Sequence, residues 1–396
     1  MKFGLENMRT ICAALDHPEH SFHSVIVAGT NGKGSVTAMT SAALHAAGHR
    51  TARYTSPHLE RLEERYVVGE REVAPDDLDR SIARIQAVVE RLVRDGSLET
   101  LPTFFECATA VAFDLFRSAN VEVAVVEVGL GGRLDATNVL TPMAAAITSI
   151  DFDHQDLLGD TLASIAREKA GIIKPGIPVV VGRMPQEAAL VIEQTCRAQG
   201  ARYVSIADAT DAVHTASTVS LALRGRHQID NAAVAVQLLH EIDRGGVTVD
   251  PAAIVAGLTE ARWPGRIEHF EWHGASVILD AAHNPAGARA LRQYLEEAGW
   301  HHVTLVIGVM KDKDLAGMLS VLTPIASTIM CTTPPTPRAL PAEALAAHAS
   351  ALVSRDVEVM VISDPSAALT AAARPGARVV AAGSIFLIGP LRGILR

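Results

Sequence analysis

Cysteine is scarce and dispersed. The chain has four in 396 residues, Cys12, Cys107, Cys196 and Cys331, with no CxxC pair, which fits neither a disulfide scaffold nor a zinc cluster and leads to the expectation of buried free thiols in a reducing compartment. Long apolar runs are lacking too: none approaches the about 18 residues that a membrane span needs, and nothing reads as a signal peptide. Positive charge is in deficit, with 35 Lys and Arg against 44 Asp and Glu and a net charge of −9. An acidic surface attracts neither nucleic acid nor an anionic membrane, so any anion site must be local. No internal repeat or low-complexity segment is visible. What remains is an ordinary globular protein, expected in the cytoplasm. Its 396 residues, 48% of them hydrophobic, can bury a sizeable core and favour two or three domains over one.

Short apolar runs alternate with helical stretches, the pattern of parallel sheets covered on both faces. Strands are expected at Ser24–Ala28, Val121–Val128, Ala144–Ile150 and Pro178–Val181, and in the second part at Ser276–Leu279, Val303–Val309, Thr328–Cys331, Val357–Ile362 and Ala377–Ala382. Helices are expected at Ser35–Ala47, Pro75–Asp95, Phe104–Ser118, Thr161–Ile173, Pro185–Ala198, Asn231–Ile242, Ala286–Ala298 and Pro341–Ala351. Ala261-Arg262-Trp263-Pro264-Gly265-Arg266 breaks the pattern, which predicts a domain boundary near residue 265. The fold class expected is α/β: a P-loop ATPase-like doubly wound domain over 1–265, then a smaller Rossmann-like α/β domain over 266–396.

The most informative segment is Ala28-Gly29-Thr30-Asn31-Gly32-Lys33-Gly34-Ser35, between the apolar Val25-Ile26-Val27 and an alanine-rich stretch. A strand, a glycine-rich turn with one lysine and one hydroxyl, and a helix N-terminus together suit a triphosphate. Backbone N–H groups close on the phosphates, Lys33 adds mobile positive charge, and Ser35 can reach a phosphate-bound magnesium. The spacing departs from G-x-x-x-x-G-K-[ST]: the first glycine lies too close to Lys33, and Gly34 intervenes before Ser35. ATP binding is the expectation.

Further chemistry collects where strands end, since open α/β sheets bind ligands at the carboxyl ends of their strands. The run Val121–Glu127 finishes in a carboxylate that should face a cation or solvent. A loop follows, Val128-Gly129-Leu130-Gly131-Gly132-Arg133-Leu134-Asp135-Ala136-Thr137-Asn138, glycine-rich enough to approach a ligand closely. The next strand ends in Ser149-Ile150-Asp151-Phe152-Asp153-His154. Glu, His and a hydroxyl near a triphosphate can make a magnesium shell, although magnesium prefers oxygen ligands, and His154 reads equally as a hydrogen-bonded loop residue. Lys169, by residue chemistry alone, is a solvated or helix C-terminal charge.

These segments, with Thr55-Ser56-Pro57-His58-Leu59, Glu168-Lys169-Ala170-Gly171-Ile172-Ile173-Lys174-Pro175-Gly176, His227-Gln228-Ile229-Asp230-Asn231-Ala232-Ala233, Pro264-Gly265-Arg266, Leu279-Asp280-Ala281-Ala282-His283-Asn284-Pro285, Arg338-Ala339-Leu340-Pro341-Ala342-Glu343 and Gly383–Gly389, resemble the folylpolyglutamate synthase/dihydrofolate synthase family of the Mur ligase superfamily. The resemblance runs in order over nearly the whole chain. It implies a cytoplasmic, monomeric ATP-dependent amide ligase: a substrate carboxylate takes the γ-phosphoryl group, and the amine of L-glutamate displaces phosphate from the acyl phosphate. Lys33, Lys169 and His154 are the catalytic residues it implies. Thr30, Asn31, Gly32, Lys33, Gly34, Ser35, Asn231, Arg266 and Asp280 would contact ATP. Ser56, Glu127 and His154 would hold Mg2+, with K+ as a further cation, and Lys169 would be carbamylated. Thr103, Phe104, Phe105, Glu106, Leu134, Asp135 and Ala136 correspond to the pterin side, where Phe104 and Phe105 read equally as core residues of a helix start. His283 corresponds to a glutamate contact or a loop cap. The opening Met1-Lys2-Phe3-Gly4-Leu5-Glu6-Asn7-Met8 resembles the pterin-proximal segment, which in the family usually follows a helical stretch not found in this sequence.

The substrates so implied are dihydropteroate or a reduced folate, L-glutamate and ATP, with either or both folate reactions open. Two other readings stand beside it: a different Mur-type amino-acid ligase, and a regulatory ATPase that has lost ligation. Lys33, Glu127, His154 and Lys169 together argue against the ATPase, while the Glu127–Asn138 and His227–Ala233 segments favour the folate branch.

Overall fold

The computed structural model describes residues 4–98, 100–354 and 357–396; Met1–Phe3 of the opening segment lie outside them, and Glu6–Ala14 is a helix. The chain divides into two compact units, one of residues up to Ala222 with Gln228–Arg262, the other of Leu223–His227 with Trp263–Arg396.

The first unit carries, among the described residues, an eight-stranded sheet: β1 (His23–Ala28), β2 (Thr51–Tyr54), β3 (Tyr66–Val68), β4 (Arg71–Glu72), β5 (Val123–Glu127), β6 (Ala144–Ile147), β7 (Pro178–Val181) and β8 (Arg202–Ser205). Their order is β4-β3-β2-β5-β1-β6-β7-β8. Five of these pairings are parallel beside β1 and beyond it, whereas β3 and β4 run antiparallel at one edge. The parallel sheet that the alternation predicts is therefore corrected at that edge, where strands of two or three residues turn back antiparallel, β3 after an eleven-residue loop holding the short helix Leu62–Arg65 and β4 after a tight turn at residues 69–70.

The centre of the sheet explains itself from composition. β5 is buried along its whole length, as are β6 and all but the first residue of β1, so Val, Ile and Ala without polar alternation are what a doubly covered strand requires. The helix Lys33–Ala46 that follows β1 is rich in Ala, Ser and Thr and is buried nearly all round. Small side chains let it lie between the sheet and the helix Pro251–Glu260. The chain leaves β1 toward β2 on one side and, after β5, returns to β6 on the other. That reversal at β1 is the topological switch point, where open α/β sheets place their ligands.

The second unit holds a six-stranded sheet among the described residues, ordered β13-β12-β11-β14-β10-β9, with β9 (Glu268–Trp272), β10 (Ala275–Leu279), β11 (Val303–Ile307), β12 (Ala326–Cys331), β13 (Glu358–Val361) and β14 (Arg378–Ala382). Only β9 is antiparallel there. Cys12, Cys196 and Cys331 are buried, Cys107 is half-buried, and all are free thiols. No helix among the described residues is long and apolar enough to cross a membrane.

Candidate active site

The turn after β1 is built by close approach. Gly29 has φ +151°, and a Cβ there would meet the Thr148 hydroxyl oxygen at 1.9 Å; Gly32 has φ +86°, and a Cβ there would meet Asn231 Oδ1 at 2.2 Å. Both positions demand glycine on backbone and space together. The turn is stitched to the segment after β6. Thr30 N–H donates to the Ser149 carbonyl at 2.8 Å, and the Asp151 N–H donates to Thr30 Oγ1 at 3.1 Å. Asn31 N–H donates to Ser149 Oγ at 3.0 Å, and the Thr148 and Ser149 hydroxyls donate to the Asn31 carbonyl at 2.6 and 3.0 Å. Thr148 and Ser149 were not expected as site residues. Their position at the end of the strand beside β1 is the signal that marks them.

Lys33 Nζ donates to the carbonyls of Gly29 and Thr30 at 3.0 and 3.2 Å. Lys169, on the helix Leu162–Ala170, also donates to the Gly29 carbonyl, at 3.0 Å. The solvated lysine that residue chemistry predicts is not what forms: Lys169 is only 4% exposed. Burial first, and then the Lys33 charge, pull its pKa down to about 7, so a large share of the amine is uncharged near neutrality. The loop after β5 holds this helix end. The Arg133 N–H donates to the Glu168 carbonyl at 2.8 Å, its guanidinium pairs with the Glu168 carboxylate at 2.9 Å, and Asn138 Nδ2 donates to the carbonyls of Arg133 and Gly171.

Glu127 ends β5 opposite Val27 of β1 and is buried. The Ser56 N–H donates to its Oε2 at 3.2 Å, so these two expected metal ligands are brought together. Arg53 is the cation the carboxylate faces: burial pulls the guanidinium down to about 10 while Glu127 holds it up. His154 has φ +50°; its backbone N–H donates to Asp153 Oδ1, and its Nε2 lies 3.8 Å from the same oxygen. One carboxylate, one hydroxyl and one imidazole are donors that a divalent cation beside a triphosphate can use. Ser35, in the first turn of its helix, is buried.

Comparison with known proteins now decides the family. Residues 265–385 match the Mur ligase, glutamate ligase domain. The chain is 36% identical to the dihydrofolate synthase/folylpolyglutamate synthase of Mycobacterium tuberculosis over 375 residues, 86% of this chain and 76% of that one. The chain belongs to the folylpolyglutamate synthase/dihydrofolate synthase family. It is also 35% identical to a probable bifunctional folylpolyglutamate synthase/dihydropteroate synthase of Halobacterium salinarum over 99% of its own length, and spans 49% of that relative. Among solved structures, M. tuberculosis folylpolyglutamate synthase complexed with ADP superposes with a TM-score of 0.90 at 31% identity, covering 99% of this chain and 94% of that one. Escherichia coli FolC in complex with DHPP and ADP gives 0.86 at 29% identity, covering 100% and 93%. The bifunctional Yersinia pestis enzyme complexed with AMPPNP and an Mn ion gives 0.83 at 33% identity, covering 100% and 94%.

In this family member the residues expected on the pterin side divide by what their side chains do. Thr103 and Glu106 close a capping box: Thr103 Oγ1 accepts from the Glu106 N–H at 3.2 Å, and the Glu106 carboxylate accepts from the Thr103 N–H at 2.7 Å, which fixes the start of the helix Phe104–Ser118. Phe104 is 63% exposed, with the Arg65 guanidinium 5.3 Å from its ring centroid. Phe105 stacks on Tyr54 at 6.2 Å and packs against the core, so only Phe105 takes the core role open to both. Asp135 is buried and turned into its own loop. Its oxygens accept from the Leu130 N–H at 2.9 Å, the Thr137 N–H at 3.0 Å and the Thr137 hydroxyl at 2.6 Å, while burial pushes its carboxyl pKa up against those bonds. Leu134 is half-buried and Ala136 buried.

Arg65 was missed. It is buried, donates through Nε to His58 Nδ1 at 2.9 Å, and arises from Arg61-Leu62-Glu63-Glu64-Arg65, a run that reads as a solvated face. In the second unit, Asp280 Oδ2 accepts from the Ile267 N–H at 2.9 Å and Oδ1 from the Ala282 N–H at 2.8 Å. Ile267 has φ +47°, a costly conformation for a β-branched residue, and the Asp280 carboxylate is what holds it. Arg266 bonds the Gly265 carbonyl at 3.0 Å, and His283 Nδ1 lies 2.9 Å from the Ala281 carbonyl.

Proposed function

We propose that this protein joins L-glutamate both to dihydropteroate and to the γ-carboxyl of reduced folates, using ATP. Family membership across nearly the whole chain gives the ligase class. The observation that carries the site reading is the convergence of Lys33, Lys169 and Asn231 on a glycine turn locked by Thr148 and Ser149. Residues 1–265 form the ATP-binding domain in this reading, and 266–396 the glutamate ligase domain. ATP gives the folate carboxyl a phosphate leaving group, and the glutamate amine displaces it as the amide forms. Turn N–H groups and Lys33 offset the triphosphate charge, and their fixed placement lowers the cost of moving the γ-phosphoryl group. Ser56, Glu127 and His154 would hold the magnesium, which would supply neutralisation of phosphate charge; K+ is a second cation this reading admits. Lys169 forms a carbamate. Its uncharged amine attacks the CO2 carbon and gives up one N–H proton to solvent, and the resulting N-carboxylate anion replaces a like-charge contact with Lys33 by an attractive one. Arg266 and Asp280 contact ATP, and His283 the incoming glutamate. Free thiols and the use of ATP support a cytoplasmic setting.

Product mass decides the substrate. Incubation with ATP, glutamate and dihydropteroate should give a monoglutamate, and incubation with a reduced folate monoglutamate should give longer chains. Product from one acceptor alone restricts the enzyme to that reaction, and product from neither favours another Mur-type ligase.

A further inference from the structure

The turn that leads into β1 gathers chemistry that ligation does not use. His17 adopts φ +51°, and the short turn Pro18–His20 then brings the two imidazoles together, with ring centroids 5.1 Å apart and planes 10° from parallel. Glu19 lies between them, its Oε1 at 2.9 Å from His17 Nδ1 and 3.7 Å from His20 Nε2. One ligand atom from each residue fits within 4.8 Å of the other two. The rings are open to solvent, at 51% and 68% exposure, but the Glu19 side chain is only 6% exposed. Its second oxygen, Oε2, is shut off from solvent, and the buried Cys12 thiol hydrogen-bonds the carboxylate from within, so Glu19 is held in place with Oε1 facing the two rings.

We propose that His17, Glu19 and His20 form a binding site for a transition-metal dication of the zinc type. Two imidazoles and one carboxylate are a zinc donor set, and the exposed side leaves room for water as a fourth ligand. Donors around a tetrahedral zinc at about 2.1 Å lie ~3.4 Å apart. The observed 2.9 and 3.7 Å from Glu19 bracket that spacing, the two ring nitrogens lie within 4.8 Å of each other, and turning the exposed rings out of their near-parallel arrangement brings the three donors to one ion. Imidazole donors select against magnesium and calcium. The site is distinct from the phosphate loop. It precedes His23, whereas the loop follows Ala28 at the other end of a six-residue strand that spans roughly 20 Å. Its ion is structural: it pins the turn, two residues beyond which Phe22 packs on Phe113 and Phe116 at 6.1 and 5.8 Å between ring centroids.

The test uses the full chain, stripped of metal, with Zn2+ followed by thermal shift and Co2+ followed by its visible absorption, each in excess Mg2+. Wild type should gain Tm with Zn2+ and show the intense bands of four-coordinate Co2+. His20→Ala, which removes a mostly exposed ring, and Glu19→Gln, which keeps shape, should each lose both signals and retain ligation with Mg2+ and ATP. An equal Zn2+ shift and equal Co2+ bands in both variants, or neither signal in wild type, would overturn the site.

Discussion

Lys33 and Lys169 aim their ammonium groups at one atom: the carbonyl oxygen of Gly29 accepts from both, at 3.0 Å each. Only Lys33 has a second carbonyl there, that of Thr30 at 3.2 Å. A triphosphate in the turn would draw Lys33 outward and relieve the like-charge contact.

Lys33→Ala should therefore lower kcat/KM by at least about 10²–10³-fold, the scale for removing one preorganised charge-stabilising group. Its thermal transition should survive, because removing Lys33 also removes a charge that disfavours Lys169. Steady-state kinetics and a melting curve measure both; loss of the transition itself would make Lys33 structural.

The buried amine gives stability a pH signature. The Lys169 pKa is lowered from 10.5 to about 7 in the folded chain, so between those values the unfolded chain binds the extra proton. Stability then rises with pH across that window and is flat with respect to this group outside it. Tm measured from pH 7 to 10 in carbonate-free buffer should climb more in wild type than in Lys169→Met. Equal slopes would place the amine in water.

Carbamate formation is tested by rescue. Lys169→Ala should be nearly inactive with Mg2+ and ATP and partly restored by a short carboxylate such as acetate, which stands in for the missing anion. Full activity without any addition would remove the role.

Gly29→Ala should cost about 10²-fold in kcat/KM, the scale for displacing a reacting group by about 1 Å, because its Cβ lands 1.9 Å from Thr148 Oγ1. Adding Thr148→Ala removes the closest clash but leaves contacts of 3.2 Å with Thr148 Cβ and Ser149 N and the φ of +151°, and it also costs the hydroxyl bond to the Asn31 carbonyl. Partial recovery in the double variant is the expected result, read as a coupling energy.

Asp135→Asn puts an amide NH2 among three donors, those of Leu130, the Thr137 backbone and the Thr137 hydroxyl. The loss should be about 1–3 kcal/mol of stability, with the KM for dihydropteroate rising more than the KM for ATP. A selective rise for ATP would move the loop to the nucleotide side.

The strand Pro178–Val181 and the helix Phe104–Ser118 were legible to the residue because an apolar run and a capping box carry their own boundaries. β9 was not: Glu268-His269-Phe270-Glu271-Trp272 alternates half-buried and exposed residues and mixes charge with aromatic, so no apolar run announces it. The same limit applied to the site. Gly29, Gly32 and Lys33 declared a phosphate loop through backbone chemistry that is local in sequence. Lys169 and Arg65 gave no such sign, since their burial is created by partners such as Gly29, 140 positions from Lys169, and by Phe104 beside Arg65.

The reciprocal bonds of Thr30 and Asn31 with Ser149 and Asp151 have a mechanical meaning. They make two loops from neighbouring strands a single rigid block, so a push delivered by a phosphate to one is felt at the root of the segment ending in His154 without any hinge between them. Nucleotide seating and the setting of that imidazole are then expected to move together: Ser149→Ala, far along the chain from the glycine turn, should weaken both nucleotide and divalent-metal affinity, read by titrating each.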